Sequence, residues 1–94
     1  MATEEEVIEA AIEKEADTLG EGTAYKYARE VEGLEIDEDG NVTSIDGDTQ
    51  QILANLVLKY VDYAGDISAT LIAHELSETD TEGVDLPPMI KNKM

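Results

Sequence analysis

Twenty-three Asp and Glu stand against six Lys and Arg in this 94-residue chain, a formal charge of −17. Charge of one sign at that density repels itself and opposes any compact state. Salt changes the balance, because the Debye length falls from ~10 Å at 0.1 M to ~3 Å at 1 M. The carboxylates run along the whole chain: Glu4, Glu5, Glu6, Glu9, Glu13, Glu15 and Asp17 early, Asp37 to Asp48 centrally, Glu75 to Asp85 late. They fall between apolar positions at helical spacing, the pattern of a solvated surface around a folded domain. A charge spread globally asks for a global cause. The composition, low in lysine and rich in small residues, resembles that of proteins from halophilic archaea, and a salt-rich cytoplasm is the expected setting. Mimicry of nucleic acid, or a surface for a basic partner, would need carboxylates gathered on one face. Here they occur on every element.

The length allows one domain, with a core limited to somewhat over ~60% burial of the unfolded surface. Such a charge-rich composition leans toward disorder, but Gln50 to Leu76 is dense in Ile, Leu and Val and supplies the material of a core. The absence of Cys excludes disulfides and thiolate metal sites and fits a reducing compartment. The N-terminus is acidic where a secretory signal would be basic. The longest apolar stretch, Ile52 to Val61, is interrupted by Asn55 and Lys59 and falls far short of the ~20 residues of a membrane span. A cytoplasmic protein without membrane contact is expected.

Thr3 and Glu6 read as a capping box opening a helix over about 4–19, with Ile8, Ala11, Ile12, Ala16 and Leu19 as its apolar stripe. Gly20 and Gly22 should break it, and Thr23 should cap a second helix running to about Glu32. Leu34 and Ile36 alternate with charge, an Asp-Gly turn follows, and Val42 and Ile45 come next: a β-hairpin over about 34–45 with Gly40 at positive φ. Two strands alone are marginal in water, so the hairpin must pack on helices. Asp48 and Gln51 form a second capping pattern before a helix over 49–63. Its apolar set (Ile52, Leu53, Leu56, Val57, Leu58, Tyr60, Val61) is too broad for one stripe and implies a helix surrounded by partners. Asp66 should cap a fourth helix to about Leu76 carrying Ile67, Leu71, Ile72 and Leu76. The expected fold is a small, mostly helical α+β domain of order α-α-β-β-α-α over 1–77. An extended, partly flexible tail over 78–94 should follow, in which Leu86, Met89 and Ile90 dock on a groove. The breadth of the 49–63 helix points to a homodimer, or to a protein partner, meeting there.

Candidate chemistry is sparse. Counted from Glu35 as a twelve-residue calcium loop, the hairpin places Asp37 and Asp39 at the third and fifth positions, Gly40 at the sixth and Asp46 at the twelfth. It departs from the EF-hand pattern at both ends: Glu stands first, and Asp replaces the bidentate Glu last. His74-Glu75 lacks the second His a helical turn later, where Glu78 stands, so no zinc motif forms and His74 reads as a partly exposed helical residue. Ser44, Ser68 and Ser77 sit in no nucleophile context, and a single His must serve any triad. No Gly-rich phosphate loop is present, and no basic footprint for nucleic acid exists beyond Lys91 and Lys93. Tyr25, Tyr27, Tyr60 and Tyr63 are the aromatic inventory; Tyr60 and Tyr63, three apart on one helix, are read as core-edge residues whose hydroxyls reach water, with interface anchors as the alternative. No catalytic, cofactor-binding or metal residue is assigned. The expectation is a non-enzymatic interaction or regulatory module adapted to high salt. The alternatives are a calcium-responsive loop protein using Glu35–Asp46 and an acidic mimic that binds a basic partner.

Overall fold

Thr3 opens α1 (Glu4–Leu19) with a complete capping box in the computed structural model, which describes all 94 residues. The Thr3 hydroxyl accepts the Glu6 amide at 3.1 Å, and the Glu6 carboxylate accepts the Thr3 amide at 3.0 Å. Gly20 alone makes the break that follows. At φ 92 it ends α1 and starts α2 (Glu21–Arg29), so α2 begins two residues before the expected Thr23 cap and Gly22 lies inside it. One residue in a conformation that L side chains rarely adopt turns the chain without a longer loop.

The hairpin forms as the alternation indicated. Strands β1 (Leu34–Ile36) and β2 (Val42–Ile45) pair antiparallel, Leu34 opposite Ile45 and Glu35 opposite Ser44, with an irregularity between Glu35 and Ile36. Gly40 takes φ 83 in the turn. The hairpin lies on α1 and α2, burying Leu34 and half-burying Ile36, Val42 and Ile45.

Asp48 caps α3 (Thr49–Ala64) by accepting the Gln50 amide at 3.1 Å. The expected reciprocal arm from Gln51 is missing, because its side-chain amide donates to Asn55 at 3.0 Å. Ile52, Leu53, Leu56, Val57 and Tyr60 are buried, whereas Leu58 and Tyr63 are 46% and 56% exposed. The helix is therefore not surrounded within the chain. Helix α4 (Ile67–Ser77) starts without a side-chain cap, since the Asp66 carboxylate instead takes Lys93 at 2.9 Å. Ile67 faces outward rather than into the apolar stripe; Ser68, Ala69, Ile72, Ala73 and Leu76 are the buried positions.

The remaining segment returns to the body. Leu86, Pro87 and Ile90 are buried, Pro88–Lys91 forms the one-turn helix α5 against α4, and the Gln50 side chain donates to the Leu86 carbonyl at 2.9 Å. Nineteen apolar residues from all five helices, β1 and the flanking turns form a single core. No helix is long and apolar enough to cross a membrane.

Candidate functional site

Asp37 organises the loop in which a cation site was considered. One of its carboxylate oxygens accepts the amides of Asp39 and Asn41, both at 2.9 Å, and the other accepts the Asn41 side chain at 3.1 Å. These donors, with the Asn41 contacts the strongest, hold its carboxyl below the usual carboxylate range. The carboxylate thus closes its own turn. Glu35 sits on β1 facing Ser44, and Asp46 lies past the end of β2. The would-be ligands are strung along a ladder, and no three acidic or imidazole side chains are placed to hold a metal ion.

Beside the turn, Glu9, Glu13, Asp17, Glu21 and Asp39 rim a cleft of about 400 Å³ floored by Ile12, Ala16, Tyr25 and Gly40. The Tyr25 hydroxyl donates to the Asp39 carbonyl at 3.1 Å and reaches Glu21 at 3.4 Å. Partial burial, with the carboxylates of Glu21, Asp39 and Glu13 around it, pushes this phenol up. Glu9 turns inward and accepts the Val42 amide at 3.2 Å, tying α1 to β2.

The hydroxyls and the imidazole turn to separate partners. His74 is exposed and its Nε2 meets Glu78 at 3.1 Å. Ser77, a turn away, donates to the His74 carbonyl at 2.6 Å, and Ser44 lies on β2. Ser68 is buried and donates to Glu15 at 3.4 Å. Glu15 is the acid that departs from the expected solvated set: it is fully buried and its Oε1 has no hydrogen-bond partner. Burial raises its pKa against the lowering effects of Ser68 and Lys14. The signal was present in the spacing, because position 15 lies three and four residues beyond Ile12 and Ala11, on the buried stripe itself.

Tyr60 corrects the reading of a core-edge tyrosine. It is fully buried, its hydroxyl donates to the Ala24 carbonyl at 2.8 Å, and burial pushes the phenol far up. Tyr63 is the exposed one. Its ring packs at 46° against Tyr27 of α2, with centroids 5.2 Å apart. Lys26 sits 5.5 Å from the Tyr27 ring, and Lys59 reaches Glu30 at 3.4 Å. Tyr27 and Tyr63 line one shallow hollow with Glu30, Lys59 and Asp62, and Leu58 lines a second, with Val31, Glu32 and Asn55, that shares those three charged residues. Helix α2 carries Lys26 and Arg29 against Glu21, and α3 carries Lys59 against Asp62, so the two helices together bear one net positive charge in a chain of −17. Helix α1, by contrast, holds seven acids against Lys14. The sequence carried this contrast as a stretch from Thr49 to Val61 that contains no acid. Compared with protein-family models, with curated proteins and with solved structures, the chain matches none.

Proposed function

We propose that this chain is a small non-enzymatic protein-interaction module adapted to a salt-rich cytoplasm. The observation that carries the reading is the exposure of two large apolar side chains, Leu58 and Tyr63, on α3, whose own charges, Lys59 and Asp62, balance. Elsewhere the surface is dominated by unpaired carboxylates: the four ion pairs engage Asp80, Glu30, Glu78 and Asp66 only, all at exposed positions. Exposed pairs of this kind contribute ~0–1 kcal/mol each, so they do not offset the excess of charge.

Salt and docking are linked. In molar salt the Debye length is ~3 Å, and attraction between a carboxylate cleft and a basic partner is screened beyond direct contact. Apolar contact is not screened in this way. A protein that works in such a medium recognises partners by exposed apolar side chains such as Leu58 and Tyr63 rather than by its acidic cleft.

Lysine-directed cross-linking of the protein in extract at native salt tests this reading. Adducts anchored through Lys26 or Lys59 and lost in Tyr63→Asp are expected. Adducts anchored only through Lys14 or Lys91, or none at all, contradict it.

A further inference from the structure

We infer that the peptide joining Asp46 to Gly47 is a site of covalent modification, where the folded chain rearranges to isoaspartate. The fold protects the other Asp-Gly pair, Asp39-Gly40, from the same reaction. Neither property depends on a docked partner. The rearrangement needs an aspartyl carboxyl to meet the amide nitrogen of the residue that follows it. Glycine in that following place has no Cβ to obstruct the approach. The chain carries this dipeptide twice, in exposed turns by sequence alone.

The structure separates the two. At Asp39-Gly40 both ends of the peptide are held: its carbonyl accepts the Tyr25 hydroxyl at 3.1 Å, and its amide donates to the Asp37 carbonyl at 3.2 Å. Gly40 is buried beneath the Tyr25 ring, which an added Cβ would meet at 2.6 Å. This peptide turns toward the Asp39 carboxyl only if the hairpin turn opens. At Asp46-Gly47 neither end is held, since the carbonyl accepts no backbone hydrogen bond and the amide donates none. The Asp46 carboxylate forms no ion pair. Both residues are exposed, and a Cβ on Gly47 would meet only the Ile52 Cδ1 atom, at 3.7 Å. The Asp46 amide stays bonded to the Gly33 carbonyl at 2.7 Å, so the peptide beyond it turns without loss of that bond.

The chemistry balances without an oxidant or reductant. The Gly47 nitrogen attacks Cγ of Asp46 and forms a C–N bond; the nitrogen loses its proton, and a carboxyl oxygen leaves as water. The resulting succinimide is lighter than the chain by one water. Water then adds to one of its carbonyls. Opening at Cγ restores aspartate. Opening at the former backbone carbonyl breaks that carbon's bond to the Gly47 nitrogen, routes the chain through Cβ and Cγ, and frees an α-carboxylate. The product has the mass of the starting chain, with an extra backbone carbon between β2 and the Asp48 cap of α3.

Ageing the full chain in molar KCl at mildly acidic pH tests the proposal. Circular dichroism follows its fold, and electron-transfer mass spectrometry of the digest reads isoaspartate at each site. The yield at Asp46 is expected to exceed that at Asp39 by about thirtyfold, because two hydrogen bonds must open before Asp39 reacts. In concentrated urea the two sites should react alike. Tyr25→Phe removes the bond to the Asp39 carbonyl and should narrow the ratio in the folded chain. Equal yields at the two sites while the chain is folded overturn the proposal. So does an Asp46 that reacts in urea but gains no isoaspartate in the folded chain.

Discussion

Glu15 faces Ser68 across the contact between α1 and α4, and Tyr60 of α3 lies close enough to feel its charge. Lys14 is the only cation that favours its ionised form, and the Oε1 atom has no donor. Burial in that position disfavours the charged form of the carboxyl. Its raised folded-state pKa means that the folded protein holds the proton more tightly than the unfolded chain does. The Glu15 contribution is therefore favourable below the unfolded value of 4.5, falls as pH rises through the raised folded value, and levels off above it. Glu15→Gln keeps the shape and cannot ionise. Its stability relative to the native chain should be near zero at acid pH and should grow above pH 4.5 to an advantage on the order of 1–3 kcal/mol. Urea unfolding of both proteins across pH at fixed high salt checks this, and a pH-independent difference contradicts it. Taking the difference cancels the other acids. Tyr60 gives a second residue-level expectation. Tyr60→Phe removes the 2.8 Å bond to Ala24 and should lower stability by about 1 kcal/mol with no change in helix content, read by the same unfolding curves.

At the scale of elements, periodicity carried the fold a long way. The box of Thr3 and Glu6, the alternation of Leu34 and Ile36, and the apolar density after Gln50 were each decided by neighbours in sequence, and the corresponding elements are present. The misreadings arose where a distant group competes. Asp66 was free to cap α4 on local grounds, but Lys93 takes it from 27 residues away. Tyr60 looked amphipathic until the Ala24 carbonyl, 36 residues distant, gave its hydroxyl a buried partner. Docking of Leu86 and Ile90 was suggested by their apolar character; the place they fill is created only when α3 and α4 pack. Two substitutions test these joints. Gly33 links α2 to β1 at φ 87, and an added Cβ would stand 2.4 Å from the Asp46 carbonyl oxygen, a backbone atom that cannot rotate away. Gly33→Ala should cost more than the ~1 kcal/mol of the backbone conformation alone, seen as a lower melting temperature with loss of the Asp46-to-Gly33 amide's protection from exchange. Ile90→Ala leaves a cavity beside α4 and should lower stability by about 2–5 kcal/mol in thermal unfolding, whereas Met89→Ala, at a half-buried neighbour, should cost less.

The whole molecule spans 28 × 27 × 19 Å, and its 5094 Å² of surface shared among the acids other than buried Glu15 gives each a patch roughly 15 Å across. At ~0.1 M salt the screening length approaches that spacing, so neighbouring carboxylates still sense one another; at ~1 M it is several times shorter. The distribution was legible in the sequence, because acids occur in every segment and global charge needs no fold to be counted. The packing of Tyr63 on Tyr27 was not read, since it forms only when α2 and α3 are laid side by side. The most direct test is the unfolding free energy of the native chain measured from ~0.1 M to ~3 M KCl at pH 7. A steep rise to a plateau near molar salt, with a less steep rise in a variant carrying several exposed Glu→Gln changes on α1, is the expected result. A chain equally stable at the lowest and highest salt would contradict it.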